Sequence, residues 1–205
     1  MTREQKTASR TFTQQARRAQ IVQAAIETVA EVGYSHASLQ RIARHAGLSS
    51  TGMISYHFAG KPELITEVVD TIFRTLRETV AQHVGRETTY RGKLGAYIRS
   101  HVDFIARRPQ YTLALMDLVA TLRHDRIEGL EDLKERALSV AELVDLLDGG
   151  RRAGEFGCFD SVTVALTIRG AIHSLLCHRM LDVNLDLDRC GRELVAAVDR
   201  CTQPV

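Results

Sequence analysis

The sequence predicts an all-α protein, and three observations lead to that prediction. Apolar residues recur at helical rather than alternating spacing along all 205 residues. Prolines, which break helices, are rare and stand at positions 62, 109 and 204. Long stretches are rich in Ala, Leu, Arg and Glu, which favour helices. With 44% hydrophobic and 25% charged residues, the composition is that of a folded globular chain rather than a disordered one.

The first helix is expected to begin near Thr13, which can serve as its N-cap, and to end at Gly33. One face of this helix is apolar, and its members recur every three or four residues. They are Ile21, Ala25, Val29 and Val32. A stripe of this kind needs a partner helix to cover it.

Two short helices about a glycine turn are expected next. Ser38 is the predicted N-cap of a helix over residues 39–45, and Gly47 ends it in the left-handed conformation that glycine tolerates. The second short helix is expected to start from Ser49 or Ser50 and to end near His57. Its predicted core residues are Met53, Ile54 and Phe58.

A long connecting helix follows, with Pro62 in its first turn, where proline is tolerated. It extends to about Val84. Breaks that contain Gly, Pro or Asp then separate the remaining predicted helices. These are expected at about 90–106, 109–123, 128–153, 160–182 and 187–201.

Charge is distributed unevenly along the chain. Residues 1–61 hold eight Lys and Arg against three Glu, a net charge of +5, and the remainder carries −3. A basic first third joined to a mildly acidic remainder indicates that the first third meets a polyanion.

The remaining features indicate an ordinary cytoplasmic chain. The N-terminus lacks the apolar segment of a secretory signal, and no apolar run is long enough to span a membrane. Cys158, Cys177, Cys190 and Cys201 are expected to be free thiols. His173 and His178 stand five residues apart and diverge on a helix, so neither a metal nor a cofactor is expected.

The segment from Arg17 to Leu64 reads RRAQIVQAAIETVAEVGYSHASLQRIARHAGLSSTGMISYHFAGKPEL and resembles the DNA-binding domain of TetR-family regulators. The resemblance is carried jointly by residues in three helices, in their turns and at the start of a fourth helix. They are Ile21, Ala24, Ala25, Gly33, Tyr34, Ser38, Leu39, Ile42, Ala43, Ala46, Gly47, Leu48, Ser49, Tyr56, His57, Phe58, Lys61 and Leu64. From Gly47 to Phe58 the chain has one residue more than the commonest form, so either the turn or the helix start is expected to be extended around Ser49 and Ser50.

The resemblance implies a helix-turn-helix whose second short helix enters the major groove. The residues presented there would be Ser50, Thr51, Gly52, Ser55 and Tyr56. Hydroxyl groups read bases permissively, so sharper readout is expected from Gln40 and Arg41, which can bind adenine and guanine respectively. Phosphate contacts are expected from Tyr56, His57 and Lys61.

The resemblance also implies a domain plan and partners. The predicted domains are a flexible basic arm over 1–12 with Arg3, Lys6 and Arg10, a helix-turn-helix domain over 13–60, and an effector-binding and dimerisation domain over 61–205. The expected partners are palindromic double-stranded operator DNA, a second copy of the chain and an unknown small-molecule effector. The predicted dimer interface comprises Val162, Ala165, Leu166, Ile172, Leu175 and Leu176. The candidate effector-binding residues are Tyr97, His101, Phe104, Tyr111, Met116, His173 and Cys177.

The function that these features favour is a sequence-specific transcriptional regulator, a repressor released by its effector. A ligand-independent DNA-binding or interaction protein with the same helix-turn-helix stays open as an alternative. An enzyme is disfavoured, because the sequence contains no Walker A, G-x-S-x-G, H-E-x-x-H or dinucleotide-binding motif.

Overall fold

A computed structural model describes residues 3–121, 127 and 130–204. Every regular element in these residues is helical, which confirms the predicted all-α class. Within the same residues, no helix combines the length and apolar character needed to cross a membrane.

The described residues form ten α-helices and one short 3-10 helix, Tyr34–His36. The α-helices are α1 Arg3–Val32, α2 Leu39–His45, α3 Gly52–His57, α4 Lys61–Val84, α5 Tyr90–Arg107, α6 Pro109–Thr121, α7 Leu133–Leu138, α8 Ala141–Arg152, α9 Ser161–Leu181 and α10 Leu187–Thr202. Most of the predicted helices are confirmed to within two residues at each end.

Two predicted helix starts are wrong. α1 begins at Arg3 rather than near Thr13, so Thr13 lies within the helix and is not its N-cap. α3 begins at Gly52 after Thr51, and neither Ser49 nor Ser50 caps it. The longer turn before α3 agrees with the extra residue counted there. The side chains of the predicted basic arm, Arg3, Lys6 and Arg10, lie outside the described residues, and the arm stays a prediction.

The single helix predicted over 128–153 is also wrong, because α7 and α8 are separate helices. α7 ends at Leu138, and the Ser139 hydroxyl accepts a hydrogen bond from the backbone N–H of Ala141 at 3.4 Å. Serine side chains that bond nearby backbone groups compete with helical bonding. The helix therefore stops and restarts at Ala141, although its apolar spacing continues.

The chain divides into two compact units. The first unit comprises Met1–Phe73 and Gln110–Lys134, and the second comprises Arg74–Pro109 and Glu135–Val205. The division differs from the predicted domain boundary at residue 60, since the first unit includes the start of α4 and nearly all of α6. α6, which follows α5 directly in the sequence, thus belongs to the same unit as the N-terminal helices.

The first unit has its own apolar core. Ile21, Ala25 and Val29 of α1 are at most 1% exposed, as their spacing predicts. The other fully buried members come from α2, α3, α4 and α6, and from the segment after α6. They include Ile42, Ile54, Leu64, Ile65, Val68, Val69, Ile72, Ala114, Leu118 and Leu130.

The second unit is built on α5, which packs against α8, α9 and α10. Its apolar core includes Leu94, Ile98, Val102, Leu143, Leu147, Ala165, Ile168 and Ile172. Gly191 of α10 lies against Val102 of α5, and a Cβ built at Gly191 would stand 3.3 Å from the Val102 Cγ1 atom. The glycine therefore allows the two helices to approach closely.

Candidate nucleic-acid interface

The turn between α2 and α3 is fixed by local chemistry. The Ser38 hydroxyl accepts a hydrogen bond from the backbone N–H of Arg41 at 3.2 Å, which confirms Ser38 as the N-cap of α2. Gly47 has φ +66°, the left-handed conformation predicted for it. The N–H of Leu48 donates to the Ala43 carbonyl at 2.8 Å and closes the turn. Ala43 and Ala46 are buried, and α2 packs against α1.

The outward surface of α2, the turn and α3, which we call the recognition surface, carries most of the predicted DNA-contacting residues. Those that the structure shows exposed are Gln40, Arg41, Ser50, Gly52, Ser55 and Tyr56. Thr51 and His57 are half-buried. Arg44, which sequence reasoning did not select, is exposed three residues after Arg41, so both guanidinium groups lie on the same face of α2.

Met53 does not belong to the core as predicted, because 43% of it is exposed. α3 has only six residues, and Ile54 and Phe58 at spacing i,i+4 already provide its buried face. The neighbouring position is rotated by about 100° around the helix axis and therefore lies on the outer side.

Arg18 of α1 holds the end of α3 in place. One of its guanidinium nitrogens donates to the His57 carbonyl oxygen at 2.8 Å, and another donates to the Glu67 carboxylate at 2.7 Å. The guanidinium carbon lies 4.2 Å from the centre of the Phe58 ring. One side chain thus connects α1, α3 and α4, with charge-assisted bonds that are stronger than neutral ones.

Lys61 is placed differently from the other predicted phosphate-binding residues. Its ammonium donates to the Tyr34 carbonyl oxygen at 2.6 Å and lies 3.9 Å from the centre of the Tyr34 ring. Burial lowers the pKa of Lys61 from its ordinary value. The ammonium therefore makes contacts inside the first unit, and the phosphate contact of Lys61 stays a prediction.

The N–H of Tyr34 is held from the other side, by α6. It donates to the Asp117 carboxylate at 2.6 Å. Gly33 beside it has φ +76°, and a Cβ built there would stand 3.2 Å from an Asp117 oxygen. Lys61 of α4 therefore binds the carbonyl oxygen of Tyr34, and Asp117 of α6 binds its N–H. We call this arrangement the Tyr34 clamp.

Two of the candidate effector-binding residues lie in the first unit, on α6. The Tyr111 hydroxyl donates to the Gln23 side chain of α1 at 2.8 Å, so it serves as a link between helices. Met116 is half-buried on the same helix. Both were predicted to lie within the effector domain; they belong to the first unit, whereas the candidates on α5 belong to the second.

The remaining buried candidates lie on α5 in the second unit, and two of them, Tyr97 and His101, form a polar cluster with Arg169. Tyr97, His101 and Phe104 of α5 are 5–7% exposed. The Nδ1 atom of His101 lies 2.9 Å from the Tyr97 carbonyl oxygen, and its Nε2 atom lies 3.4 Å from the Arg169 guanidinium. Burial, together with the charge of Arg169, lowers the pKa of His101 to about 4, so the imidazole is neutral near pH 7.

The burial of His101 predicts a loss of stability in mild acid. In the unfolded chain the imidazole takes up a proton near pH 6.5, whereas the folded protein resists protonation until about pH 4. Stability is therefore complete above pH 6.5 and falls as the pH drops through that window. Between about pH 7 and pH 5 the loss is expected to be about 2 kcal/mol. Urea unfolding of wild type and His101→Gln at both pH values measures it, and an equal pH dependence in the two proteins contradicts it.

The predicted interface residues lie on two different faces of α9. Ala165 and Ile172 are buried in the core of the second unit, so their assignment to an intermolecular surface is wrong. Leu175 and Leu176 are partly buried against the same core. Val162 and Leu166 are about half exposed. They share their face with His173 and Cys177, which the structure places at the surface rather than around a cavity.

Comparison with known protein families agrees with this arrangement. Residues 21–68 match the model of the bacterial regulatory proteins of the tetR family. The matched segment begins within α1 and ends within α4. The helix-turn-helix segment of the chain is thus similar to that of the tetR family. The matched segment contains the recognition surface, Lys61 and Glu67, whereas Arg18 and Asp117 lie outside it.

Individual curated relatives match over parts of the chain. The HTH-type transcriptional regulator BetI 2 of Chromohalobacter salexigens is 37% identical over 89 residues, which cover 42% of each chain. The fatty acid metabolism regulator protein of Bacillus subtilis is 26% identical over 137 residues, 66% of this chain and 69% of that protein. The alignments span about a third to two fifths of the length of the first three curated relatives.

A solved structure shows that likeness in fold extends over most of the chain. FadR from Bacillus subtilis, solved in complex with stearoyl-CoA, superimposes with a TM-score of 0.73 at 22% sequence identity. The superposition covers 88% of this chain and 96% of FadR. At this identity the likeness concerns the fold.

Two residues that contact the segments around the recognition surface were not identified from the sequence, although the sequence contains a signal for each. Arg18 stands one helical turn before the buried Ile21 and Val22, where a charged residue needs a partner. Asp117 is the only acidic residue of α6, in the middle of an apolar helix. A charge at a helical position facing the core indicates a specific bond, but the sequence does not show to which residue.

Proposed function

We propose that the protein is a dimeric transcriptional regulator that binds palindromic operator DNA and is released from it by a small-molecule effector. The recognition surface carries this proposal. Gln40, Arg41 and Arg44 are exposed on α2, and the hydroxyl-bearing residues Ser55 and Tyr56 are exposed on α3, which follows across the turn. Arginine and glutamine form the bidentate base contacts that discriminate best between base pairs in the major groove.

The rigidity of this surface supports the same function. A recognition helix of six residues cannot hold its own position, because isolated short helices are unstable. The bond from Arg18 to the His57 carbonyl and the bond from Gln20 to the Ala46 carbonyl at 2.7 Å attach the ends of α3 and α2 to α1. Preorganisation of this kind reduces the entropy that binding would otherwise lose.

A second copy of the chain is the proposed occupant of the outer face of α9. Among the described residues, most of the large hydrophobic side chains that are exposed lie on α9 and just after it. They are Val162, Leu166, Met180, Leu181 and Val183. A Cβ built at Gly170, on the same outer side, meets nothing within 4 Å, so packing within the chain does not explain that glycine. A second α9 packed closely against it does.

The effector is proposed to bind in the second unit, next to the cluster of Tyr97, His101 and Arg169. Ligand sites combine apolar walls with a few converging polar groups, and this cluster supplies such groups within the core around α5. Repression and a cytoplasmic location complete the proposal. Effector and operator affinities must then be reciprocally coupled, typically by about 1–3 kcal/mol.

The proposal is tested by binding of the protein to DNA fragments that it selects from its own genome. Alanine at Arg41 or Arg44 is expected to weaken binding by about tenfold or more, because a bidentate base contact contributes about 1–3 kcal/mol. Removal of a phosphate contact instead lowers the magnitude of the slope of the logarithm of the binding constant against the logarithm of the salt concentration by about one. Arg152→Ala, at an exposed arginine of α8, is the matched control and should bind normally. A protein that selects no fragment, or binds equally well without both arginines, contradicts the proposal.

A further inference from the structure

His173 and Cys177 form a close pair on the outer face of α9. They stand at spacing i,i+4, which places two side chains side by side on a helix. The His173 Nε2 atom lies 3.5 Å from the Cys177 Sγ atom. His178, which is next in the sequence, is turned away and has its Nδ1 atom 2.9 Å from the Ser174 carbonyl oxygen. The histidine that pairs with the thiol is thus His173.

The distance within this pair is that of two ligands of one zinc ion. Zinc binds thiolate at about 2.3 Å and imidazole nitrogen at about 2.0–2.1 Å, and at a tetrahedral angle the two ligand atoms stand about 3.6 Å apart. The observed separation of 3.5 Å needs almost no adjustment. A zinc ion can therefore be bound without a change in the α9 backbone.

One chain supplies only half of such a site. Among the described residues, no group of three or more His, Cys, Asp or Glu side chains is placed to bind a metal together. The pair lies on the outer face that begins with Val162 and Leu166 and passes Gly170. A two-fold axis that passes between His173 and Cys177 would place His173 of each copy opposite Cys177 of the other copy.

We propose that His173 and Cys177 form half of a zinc site that is completed by the same two residues of a second copy. The complete site contains two thiolates and two imidazoles, the tetrahedral donor set that zinc prefers. Binding replaces the two thiol protons by one Zn²⁺ ion, so two protons are released and no oxidant is needed. The inference rests on the proposed dimer, and it adds a metal that ties the two copies together.

Cobalt titration of the full-length chain under reducing conditions tests the site, because Co²⁺ occupies zinc sites and absorbs visible light. We expect a thiolate-to-cobalt charge-transfer band and intense tetrahedral d–d absorption that saturate at one ion per two chains. Cys177→Ser should abolish the charge-transfer band. His173→Gln should weaken cobalt binding by more than about 100-fold, since loss of an outer-shell partner alone costs 10–100-fold. His178→Gln and Cys201→Ser are matched controls that should titrate like wild type.

The molar mass of the protein, measured with a chelator and again with excess zinc, distinguishes failure of the zinc site from failure of the proposed dimer. A dimer in chelator that zinc makes more resistant to dilution, with the expected cobalt spectrum, supports the site. A dimer without a thiolate–cobalt band overturns the zinc site and leaves the dimer standing. Saturation at one ion per chain, or a band that survives Cys177→Ser, also overturns the shared site. A monomer under every condition overturns both.

Discussion

Replacing Arg18 by alanine is expected to weaken operator binding by about 100-fold and to destabilise the fold by about 3 kcal/mol. The guanidinium donates to the His57 carbonyl at the end of α3 and to Glu67 of α4, and it lies over the Phe58 ring. A hydrogen bond from a charged donor contributes about 1.5–3 kcal/mol, and the ring contact adds about 1 kcal/mol. Without them the end of α3 loses these bonds to α1 and α4, and the recognition surface is held less firmly in one position.

Arg17 provides the matched control for Arg18. It is an arginine on the same helix, and its guanidinium bonds only locally among the contacts described, to Gln20 at 2.7 Å. Arg17→Ala removes the same charge. The loss of DNA affinity in this variant therefore measures the electrostatic attraction alone, and any larger loss in Arg18→Ala reports the positioning of α3. Urea unfolding and titration of a labelled operator fragment give the two quantities. Equal losses in the two variants would show that Arg18 acts by charge alone.

Replacing Asp117 by alanine is expected to lower the free energy of unfolding by about 2 kcal/mol and operator affinity by about tenfold. The carboxylate accepts the N–H of Tyr34 at 2.6 Å and fills the space beside Gly33. Its loss leaves a half-buried donor without its acceptor, a costly state for a backbone group. It also opens one side of the Tyr34 clamp, through which α6 is attached to the segment between α1 and α2.

Asp117→Asn is the graded control, because asparagine keeps an acceptor oxygen in the same place but loses the charge. We expect it to lose about half as much stability as the alanine variant, since charge-assisted hydrogen bonds are about twice as strong as neutral ones. Thermal unfolding and the operator titration rank the three proteins. An alanine variant that matches wild type in both measurements would show that the clamp does not position the recognition surface.

Those features whose causes are local were predictable from the sequence. Ser38 caps α2 because its hydroxyl reaches the N–H three residues on, and Gly47 turns the chain because glycine tolerates positive φ. Helical spacing likewise identified Ile21, Ile54 and Phe58 as core residues. Each of these signals is contained within about two helical turns, so one segment of sequence is enough to show it.

The two units and the long-range bonds were decided by the tertiary structure. The sequence does not show that the Lys61 ammonium binds the carbonyl oxygen of Tyr34, 27 residues away. Ala165 and Ile172 fit an outer helix face equally well until the packing against α5 and α8 assigns them to the core. An apolar stripe shows that a face is covered but not by what, and a lone charge shows that it needs a partner but not which one. Those choices depend on which helices meet, and that is a property of the whole chain.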